Sequence, residues 1–289
     1  METEARILRR RKGEKREQIC GVLATRTGPG GEKTDLQIRA GLTIAADGRH
    51  STLRGKSGLK VRDLGAPFDV LWLRLPVLPG DPADLVGKVK GGQMFVMIYR
   101  GDYWQCAYLI PKGGFKAIKA EGLDKFRDRL KQIAGFAADR VEQAITDFDQ
   151  VKLLTVTVDR LETWAKPGLL CIGDAAHAMS PIGGVGINLA IQDAVATANI
   201  LGPVLQRRVP RLSDLAKVQA RREFPTRAIQ SFQVAAQNAL LAPTLRATQT
   251  PKAPWIFRLL NAWPWARQFP ARFIGMGIRP EHVRLKARV

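Results

Sequence analysis

Cysteine is scarce in this chain of 289 residues, whose three cysteines are Cys20, Cys106 and Cys171. They are far apart and form no C-x-x-C pair, so the pattern argues against a disulfide scaffold and a cysteine zinc site. Histidine is equally rare, and the three histidines form no H-E-x-x-H pair. We therefore expect no metal site. A reducing, cytoplasmic location fits the low cysteine content.

A long apolar run and a basic start are also missing. The most apolar stretch, residues 183–205, is interrupted by Asn188, Gln192, Asp193 and Asn199. It falls short of the roughly 20 apolar residues that a membrane-spanning helix needs. The first four residues, Met-Glu-Thr-Glu, are not the basic start of a secretory signal peptide. These patterns predict neither a membrane-spanning helix nor a leader.

Acidic residues are few relative to basic ones, because 26 Asp and Glu stand against 46 Lys and Arg, a net charge of +20. Such an excess attracts nucleic acids, anionic membranes and anionic ligands. No basic zipper, zinc finger or aromatic RNA-binding signature accompanies it, so we favour a solvated basic surface and expect no specific nucleic acid. A basic protein that binds nucleic acid or a membrane surface is the alternative.

The rest of the composition is that of a globular protein, with 45% hydrophobic and 25% charged residues. Near the start, residues 8–16 form a basic run that we expect to be a solvated face or a frayed end. Two strand-like segments, residues 18–26 and 35–46, flank a Gly/Pro turn at 28–31 and predict a β-hairpin.

The middle of the chain is rich in aromatic and branched residues and predicts a mostly antiparallel sheet with helices, inserted between the flanking parts. The predicted strands are residues 69–77, 93–99, 103–110 and 151–159. Gly101 and Asp102 mark a hairpin turn between two of these strands. Residues 123–134 carry apolar side chains at helical spacing, which predicts a helix.

One segment, residues 169–193, reads LLCIGDAAHAMSPIGGVGINLAIQD and combines a short strand, a glycine-rich loop and a long helix. Asp174, at the carboxyl end of the strand, can accept hydrogen bonds from a sugar hydroxyl. Gly183, Gly184 and Gly186 in the loop allow the backbone to approach a flat or charged ligand closely. The helix N-terminus favours an anionic or electron-rich group. The alternative is an ordinary turn in which Asp174 caps a helix.

A second segment, Asp47-Gly-Arg-His-Ser-Thr-Leu-Arg54, follows the strand-like residues 42–46. Asp47 and Gly48 leave the strand in a turn, and Ser51 can cap a helix. Arg54 can pair with Asp47 or with a phosphate. By itself, this pattern is also typical of a simple strand-to-helix turn.

Together, in this order and with an α+β insert between them, the two segments resemble the para-hydroxybenzoate hydroxylase family of FAD-dependent aromatic hydroxylases. The likeness covers most of residues 19–205. It implies an α/β plus α+β fold, in which a partial Rossmann-like FAD-binding domain carries an inserted antiparallel-sheet substrate domain and a helical C-terminal region. We expect residues 1–67 and 161–210 to belong to the FAD-binding domain, 68–160 to form the substrate domain and 211–289 to form the helical region.

The resemblance also implies where FAD binds. Asp174 would contact the ribityl chain, and Pro181 with the glycine loop would line the isoalloxazine ring. Asp193, on the following helix, matches the family as well. The implied cofactor-binding residues are Asp47, Gly48, Arg54, Gly173, Asp174, Pro181, Gly183, Gly184, Val185, Gly186, Ile187 and Asn188. No catalytic acid or base can be assigned from the sequence.

The activity that the resemblance implies is that of a FAD-dependent monooxygenase. NADH or NADPH would be the co-substrate, and one atom of dioxygen would pass to a small organic substrate such as an aromatic compound. The protein would supply orientation, electrostatics and water exclusion, while the flavin performs the redox chemistry.

The sequence departs from the family in one respect, because the opening G-x-G-x-x-G that holds the FAD pyrophosphate is missing. Gly28-Pro-Gly30 and Gly275-Met-Gly277 do not complete this motif. We therefore expect an N-terminally truncated member of the family that holds FAD weakly. A non-catalytic remnant of the family is the alternative.

Several further residues have two interpretations. His177 is either a flavin or substrate contact or a structural histidine, and we favour the structural role. Six residues on the inserted sheet either line a substrate pocket or pack in the core: Trp72, Phe95, Met97, Tyr99, Trp104 and Tyr108.

The C-terminal region interleaves aromatic and basic residues: Trp255, Phe257, Arg258, Trp263, Trp265, Arg267, Phe269, Arg272 and Phe273. We favour packing against the flavin domain or a contact between copies in a homo-oligomer. A peripheral contact with an anionic membrane is the alternative.

Overall fold

The computed structural model describes residues 3–12, 17–247, 263, 265 and 268–284. The chain divides into two compact units. Unit 1 comprises Met1–Gly65, Thr157–Phe232 and Trp265–Val289, and unit 2 comprises Ala66–Val156 and Gln233–Pro264. Of the aromatic and basic C-terminal residues, Trp255, Phe257, Arg258 and Arg267 lie outside the described residues.

The strands are β1 (Thr3–Lys12), β2 (Glu17–Thr27), β3 (Lys33–Arg39), β4 (Thr43–Ala45), β5 (Val61–Asp63), β6 (Phe68–Pro76), β7 (Val86–Lys90), β8 (Gln93–Tyr99), β9 (Tyr103–Pro111), β10 (Lys152–Leu154), β11 (Asp159–Leu161), β12 (Ala165–Lys166) and β13 (Leu169–Cys171). The helices are α1 (Thr52–Ser57), α2 (Phe115–Glu121), α3 (Leu123–Ala134), α4 (Val141–Ala144), α5 (Gly186–Leu205), α6 (Leu212–Ala236), α7 (Ala242–Arg246) and α8 (Gln268–Met276). Within the described part of the chain, none of these helices has the length and apolar content that crossing a bilayer requires.

Unit 1 begins with a three-stranded antiparallel sheet in the order β1-β2-β3. The predicted β2–β3 hairpin is confirmed, and its turn is closed by a hydrogen bond from Gly31 N to Gly28 O at 3.0 Å. Of the two alternatives for the basic run, the frayed end was wrong for residues 8–12, which pair with β2, and residues 13–16 lie outside the described residues. The physical reason is Leu8, which is buried in the core beside Ile19 while its basic neighbours stay near solvent.

The predicted strand over residues 35–46 divides between two sheets. Its first half is β3, and the ladder to β2 ends where Ala40 N donates to Cys20 O at 3.1 Å. Its second half is β4, which pairs in parallel with β13 in the sheet β12-β13-β4. Gly41 lies at the crossing, and a Cβ there would come within 2.9 Å of Val209 Cγ2. The chain therefore passes from one sheet to the next through a crowded point.

Unit 2 is built on a five-stranded antiparallel sheet in the order β10-β6-β9-β8-β7. The predicted hairpin at Gly101 and Asp102 and the predicted helix α3 are both confirmed. One face of the sheet packs against apolar side chains of α3. The predicted strand over residues 151–159 is interrupted, since β10 pairs with β6 in unit 2 and β11 pairs with β5 in unit 1.

Strand alternation places five of the six residues considered for a substrate pocket. Phe95, Met97, Trp104 and Tyr108 are buried in the cluster that α3 covers. Trp72 lies on the opposite face, because it pairs with Ala107 and both alternate with the buried row. Most of the six therefore form the core of unit 2. The predicted fold class, a mixed α/β chain with an inserted antiparallel sheet and C-terminal helices, is confirmed. The division into four segments stays a prediction.

Candidate functional site

The two sequence motifs meet at one edge of the parallel pair formed by β4 and β13. Cys171 pairs with Ala45, and Ile172 N donates to the Ala45 carbonyl at 3.0 Å. Both strands end at this level, so residues 47–54, which come first along the chain and which we call the first motif, leave the sheet beside the Gly173–Asp174 turn. Ligands in open α/β sheets bind at the carboxyl ends of parallel strands. This edge is therefore the candidate site.

The first motif turns directly into helix α1. Gly48 has a φ of +80°, and Ser51 caps the helix by accepting a hydrogen bond from Arg54 N at 2.9 Å. The carboxylate of Asp47 accepts hydrogen bonds from Ser51 Oγ at 2.5 Å and from Leu53 N at 3.2 Å. The predicted cap at Ser51 is confirmed. Asp47, predicted as a cofactor contact, is engaged in holding the helix start.

Arg54 does not pair with Asp47, one of the two partners predicted for it. Its Nη1 donates to Asp159 Oδ1 at 2.9 Å and its Nη2 donates to the Arg49 carbonyl at 2.9 Å. Asp159 also accepts from Ala178 N at 3.3 Å. The predicted pairing of Arg54 with Asp47 was wrong, because Asp47 is already occupied by the helix cap. Arg54 instead ties the first motif to the loop that follows β13, and a role toward a phosphate stays a prediction.

Asp174 stands in a short 3-10 turn, Gly173–Ala175, immediately after β13. Gly173 has a φ of +58°, and a Cβ there would lie 3.0 Å from Ala190 Cβ on α5. A glycine is therefore required for the turn to pack against this helix. The carboxylate of Asp174 is about one quarter exposed and pairs with Arg49 Nη2 at 3.4 Å. Of the predicted site residues, Asp174 presents an accessible carboxylate at the sheet edge.

Arg49 is a site residue that the sequence interpretation missed. It lies within the first motif, directly after Gly48, and its position beside a predicted ligand-binding turn was the available signal. One nitrogen, Nη1, is buried and has no hydrogen-bond partner among the described residues. A guanidinium with a spare donor next to Asp174 can bind an anionic or hydroxyl-bearing group.

The glycine loop is exposed at Gly183 and Gly184. Gly183 and Gly184 have positive φ angles, and an added Cβ at Gly184 would meet no atom within 4 Å. Gly186 starts α5, and its ideal Cβ position lies 3.9 Å from Asp174 Oδ1. The helix has neither a side-chain cap nor an acidic residue in its first turn. Its free N–H groups and positive dipole end therefore remain available to a ligand.

The remaining predicted contacts divide into exposed and buried groups. Pro181 precedes the loop and is half-buried, and Ile187 is exposed. Val185 is buried in a small apolar cluster with Met179 and Leu189. Asn188 uses its amide nitrogen to bond the Gly275 carbonyl at 3.0 Å. The loop backbone and its exposed residues thus face outward, while Val185 and Asn188 hold the loop in place.

Two buried groups beneath this edge are not placed to react. His177 is 1% exposed and its Nε2 lies 2.6 Å from Asp193 Oδ2, which agrees with the structural role favoured for it. Cys171 is fully buried, and burial together with the charge of Asp47 raises the pKa of its thiol to about 12. No group of three or more metal-ligating side chains occurs in the described parts of the chain.

The donor set at this edge fits part of a flavin dinucleotide. The Asp174 carboxylate can accept hydrogen bonds from hydroxyl groups, an added Cβ at Gly184 would meet no atom within 4 Å, and the uncapped start of α5 favours an electron-rich group. Arg49 adds a donor with spare capacity. These features match a polyol chain attached to a ring system, which is the ribityl and isoalloxazine part of FAD.

Comparison with known proteins identifies the family. Residues 14–231 match the family model described as "FAD binding domain", so the chain belongs to the FAD binding domain family. The family expected from the two motifs, with FAD as its cofactor, is confirmed.

Among curated relatives, the 6-methylpretetramide 4-monooxygenase of Streptomyces rimosus is 34% identical over 226 residues, covering 78% of this chain and 54% of the relative. A 2-heptyl-3-hydroxy-4(1H)-quinolone synthase of Mycobacteroides abscessus is 30% identical, covering 63% of this chain and 50% of the relative. The chain thus spans about half the length of these curated relatives.

A solved structure with the same fold is the OxyS anhydrotetracycline hydroxylase of Streptomyces rimosus. It has a TM-score of 0.63 and 21% identity, covering 94% of this chain and 51% of the hydroxylase. PqsL of Pseudomonas aeruginosa, in complex with 2-aminobenzoylacetate, gives a TM-score of 0.64 at 24% identity, covering 84% of this chain and 65% of PqsL.

Proposed function

We propose that this chain acts in an FAD-dependent, NAD(P)H-dependent monooxygenase that hydroxylates a small organic, aromatic substrate. The observation that carries the proposal is the juxtaposition of Asp174, Arg49 and the uncapped start of α5 at the carboxyl ends of β4 and β13. A relative with 34% identity is named as a monooxygenase of 6-methylpretetramide, which supports the same class of reaction.

The proposed roles of the residues follow from their chemistry. Asp174 accepts hydrogen bonds from the ribityl hydroxyls and so orients the ring. The first N–H groups of α5 and the backbone of Gly183 and Gly184 contact the pyrimidine side of the ring, where negative charge is favoured by the helix dipole. FAD, when bound, supplies the transfer of electrons from the nicotinamide and the activation of dioxygen. The chain's own contribution is to bind, orient and exclude water.

The sheet of unit 2 suggests the kind of substrate. The face opposite the α3 cluster carries half-buried apolar side chains at Trp72, Met94, Val96 and Ile98. Apolar and aromatic side chains suit an aromatic ligand. We propose that this face contacts the substrate, in place of the buried Phe95, Met97, Trp104 and Tyr108.

The C-terminal aromatic residues support a separate proposal about location and partners. Trp265 and Phe269 are exposed, with their rings 5.9 Å apart in an edge-to-face arrangement. Exposed aromatic groups on a basic chain suit a peripheral membrane contact or a contact between copies of the chain. We propose a cytoplasmic protein that makes one of these contacts, and sedimentation with and without anionic vesicles distinguishes them.

Titration of the purified chain with FAD, followed by flavin fluorescence, tests the proposed function. Replacing Asp174 with alanine should weaken binding by about 1–3 kcal/mol, the usual loss for a hydrogen bond to a charged group. Glu162→Ala serves as the control, because Glu162 is exposed and lies outside the motif. Equal losses in the two variants, or no saturable binding of FAD by the unaltered chain, would overturn the proposal.

A further inference from the structure

A segment near the C-terminus, residues 275–284, runs along one side of α5, and we name it the C-terminal strap. Three amide side chains of α5 donate to its backbone carbonyls at 2.8–3.0 Å: Asn188 to Gly275, Gln192 to Met276 and Asn199 to His282. Their spacing of four and seven residues places them on one face of the helix. The strap is therefore held by the same helix whose first turn faces the candidate flavin site.

Two neighbouring arginines of α6 also hold the strap. Arg222 Nη1 donates to the Arg279 carbonyl at 3.2 Å, and Arg221 Nε donates to Glu281 Oε1 at 2.5 Å. Arg279 has a φ of +54°, which is uncommon for a residue with a side chain. The side chain of Glu281 is almost fully buried, and Arg222 Nη1 lies 3.8 Å from its carboxylate. The strap thus supplies both a carbonyl and a buried charge to Arg222.

Arg222 connects the strap to the turn that bears Asp174. Its Nε donates to Asp193 Oδ1 at 3.0 Å, and both side chains are completely buried. The other oxygen of Asp193 accepts from Gly173 N at 3.0 Å and contacts His177 Nε2 at 2.6 Å. Asp193 therefore holds both ends of the turn over residues 173–177, and Arg222 fixes the orientation of Asp193.

Stability alone does not explain the buried ion pair between Arg222 and Asp193. Burying an aspartate and an arginine costs desolvation that apolar residues would avoid, so buried ion pairs often contribute little net stability. The ion pair of Arg222 and Asp193 instead fixes the geometry of the turn, because both carboxylate oxygens of Asp193 have hydrogen-bond partners. Burial alone would raise the pKa of Asp193, but His177, the Gly173 N–H and Arg222 together hold it below its usual range.

We propose that Arg222 is a positioning residue for the flavin site. It sets Asp193, which in turn holds Gly173 and His177 so that Asp174 is presented at the sheet edge, and the C-terminal strap closes the network from the other side. This proposal rests on the proposed function for the identity of the ligand. The path itself is defined by contacts within unit 1.

The test compares Arg222→Met with Val218→Ala. Val218 is one turn earlier on α6 and fully buried in the apolar core, so its truncation also destabilises the fold but removes no hydrogen bond or ion pair of Asp193. Hydrogen–deuterium exchange over residues 172–178, measured without FAD, reports the turn directly. We expect exchange there to accelerate at least tenfold in Arg222→Met and to change little in Val218→Ala. The FAD dissociation constant should rise at least tenfold in the first variant and less than threefold in the second.

Further variants keep the test decisive. Arg222→Lys retains the charge and should recover part of both effects. If Arg222→Met does not fold, the double variant Arg222→Met with Asp193→Asn leaves no unpaired buried charge and should still show the faster exchange. Equal effects of Val218→Ala and Arg222→Met would overturn the positioning role. Failure of the unaltered chain to bind FAD would instead overturn the proposed function, while the exchange comparison would still decide the role of Arg222.

Discussion

Arg49 and Arg54 lie five residues apart in the first motif, and their ion pairs differ in exposure and in what they contribute to the stability of the fold. Arg49 and Asp174 are each more than one fifth exposed and 3.4 Å apart, so solvent screens their attraction. Arg54 and Asp159 are mostly buried and 2.9 Å apart, so loss of one partner leaves the other charge with little solvation. Arg49 is thus free to serve a ligand, whereas Arg54 serves the fold.

This contrast predicts the effect of removing each arginine. We expect Arg54→Ala to lower the free energy of unfolding by about 3–5 kcal/mol, the usual cost of breaking a buried pair. Arg49→Ala should cost about 1 kcal/mol or less. Urea denaturation at neutral pH measures both values, and the two variants control for each other because both remove a guanidinium from the same motif. A loss in Arg49→Ala as large as that in Arg54→Ala would contradict the assignment.

The cysteines allow a second prediction about single residues. Cys106 and Cys171 are fully buried, and burial is the main cause that raises the pKa of each thiol to about 12. At pH 8, roughly one in ten thousand of these thiols would be ionised, and the thiolate is the reactive form. Iodoacetamide should therefore label the half-buried Cys20 in the native protein and the other two only after denaturation. Labelling of native Cys171, read by peptide mass spectrometry, would be inconsistent with this packing.

The sequence predicted the residue types of the site better than their partners. The acid after a strand and the glycines before a helix follow from local pattern, so Asp174 and Gly186 could be proposed without a structure. The partner of Arg54 could not, because Asp159 lies 105 residues further along the chain and reaches it only through folding. Arg49 was missed for the same reason, since its carboxylate partner is 125 residues away.

At the scale of elements, turns and hairpins were predictable where contacts are local. The β2–β3 hairpin and α3 depend on neighbouring residues, and both were predicted, although the second strand of the hairpin ends at Arg39 and not at residue 46. Strands that change partners were not predictable. β10 and β11 form parts of different sheets because β6 and β5 pair with them, and a single alternating pattern over residues 151–159 contains no sign of that choice.

Close packing between elements gives a sharp test at Gly168, in the turn between β12 and β13. Its φ is +79°, and a Cβ there would lie 1.9 Å from the carbonyl oxygen of Ile19 on β2. Because that obstacle is backbone, Gly168→Ala must both strain its own backbone and displace a strand. We expect a loss of at least about 2 kcal/mol in the free energy of unfolding.

Gly55 provides the matched control for Gly168. It lies inside α1, and an added Cβ would meet no atom within 4 Å. Alanine is the better helix former, so Gly55→Ala should stabilise the protein by up to about 1 kcal/mol. Chemical denaturation of the two variants should therefore give changes of opposite sign. A neutral Gly168→Ala would show that β2 and this turn do not approach as closely as the contact implies.

At the scale of the whole molecule, the excess of basic residues sets the response to acid. The chain carries +20 at neutral pH, and protonation of its carboxylates adds further positive charge and self-repulsion. The family and fold class were predictable because two motifs and their order are local information. The network through Asp193 was not, because it joins residues from α5, α6 and the C-terminal strap.

Unit 2 contains the carboxylate that best tests this acid response. Asp81 receives two hydrogen bonds from Arg140, at 2.5 and 2.8 Å, and one from Trp104 Nε1 at 2.9 Å. The hydrogen bonds from Arg140 are the main cause that holds the pKa of Asp81 well below its usual range, against the opposing effect of burial. The pKa of Asp81 is lower in the folded state than in the unfolded state. Ionised Asp81 therefore stabilises the fold above its unfolded-state pKa of about 3.9, and this stabilisation is lost as the pH falls below that value.

Asp81→Asn should therefore destabilise the protein strongly at pH 7 and less at pH 3. At pH 7 we expect a loss of about 3–5 kcal/mol, because Arg140 is left buried without its charge partner. Between pH 7 and pH 3 the unaltered protein gives up roughly 1 kcal/mol through Asp81, whereas the asparagine variant has no such group to protonate. The difference between the free energies of unfolding of the two proteins should shrink by that amount, as measured by urea denaturation at both pH values.

Asp124→Asn, at a carboxylate that is 91% exposed, is the control, and its free energy of unfolding should differ little from that of the unaltered protein at either pH. A gap for Asp81→Asn that stays constant or widens in acid would mean that folding does not lower the pKa of Asp81.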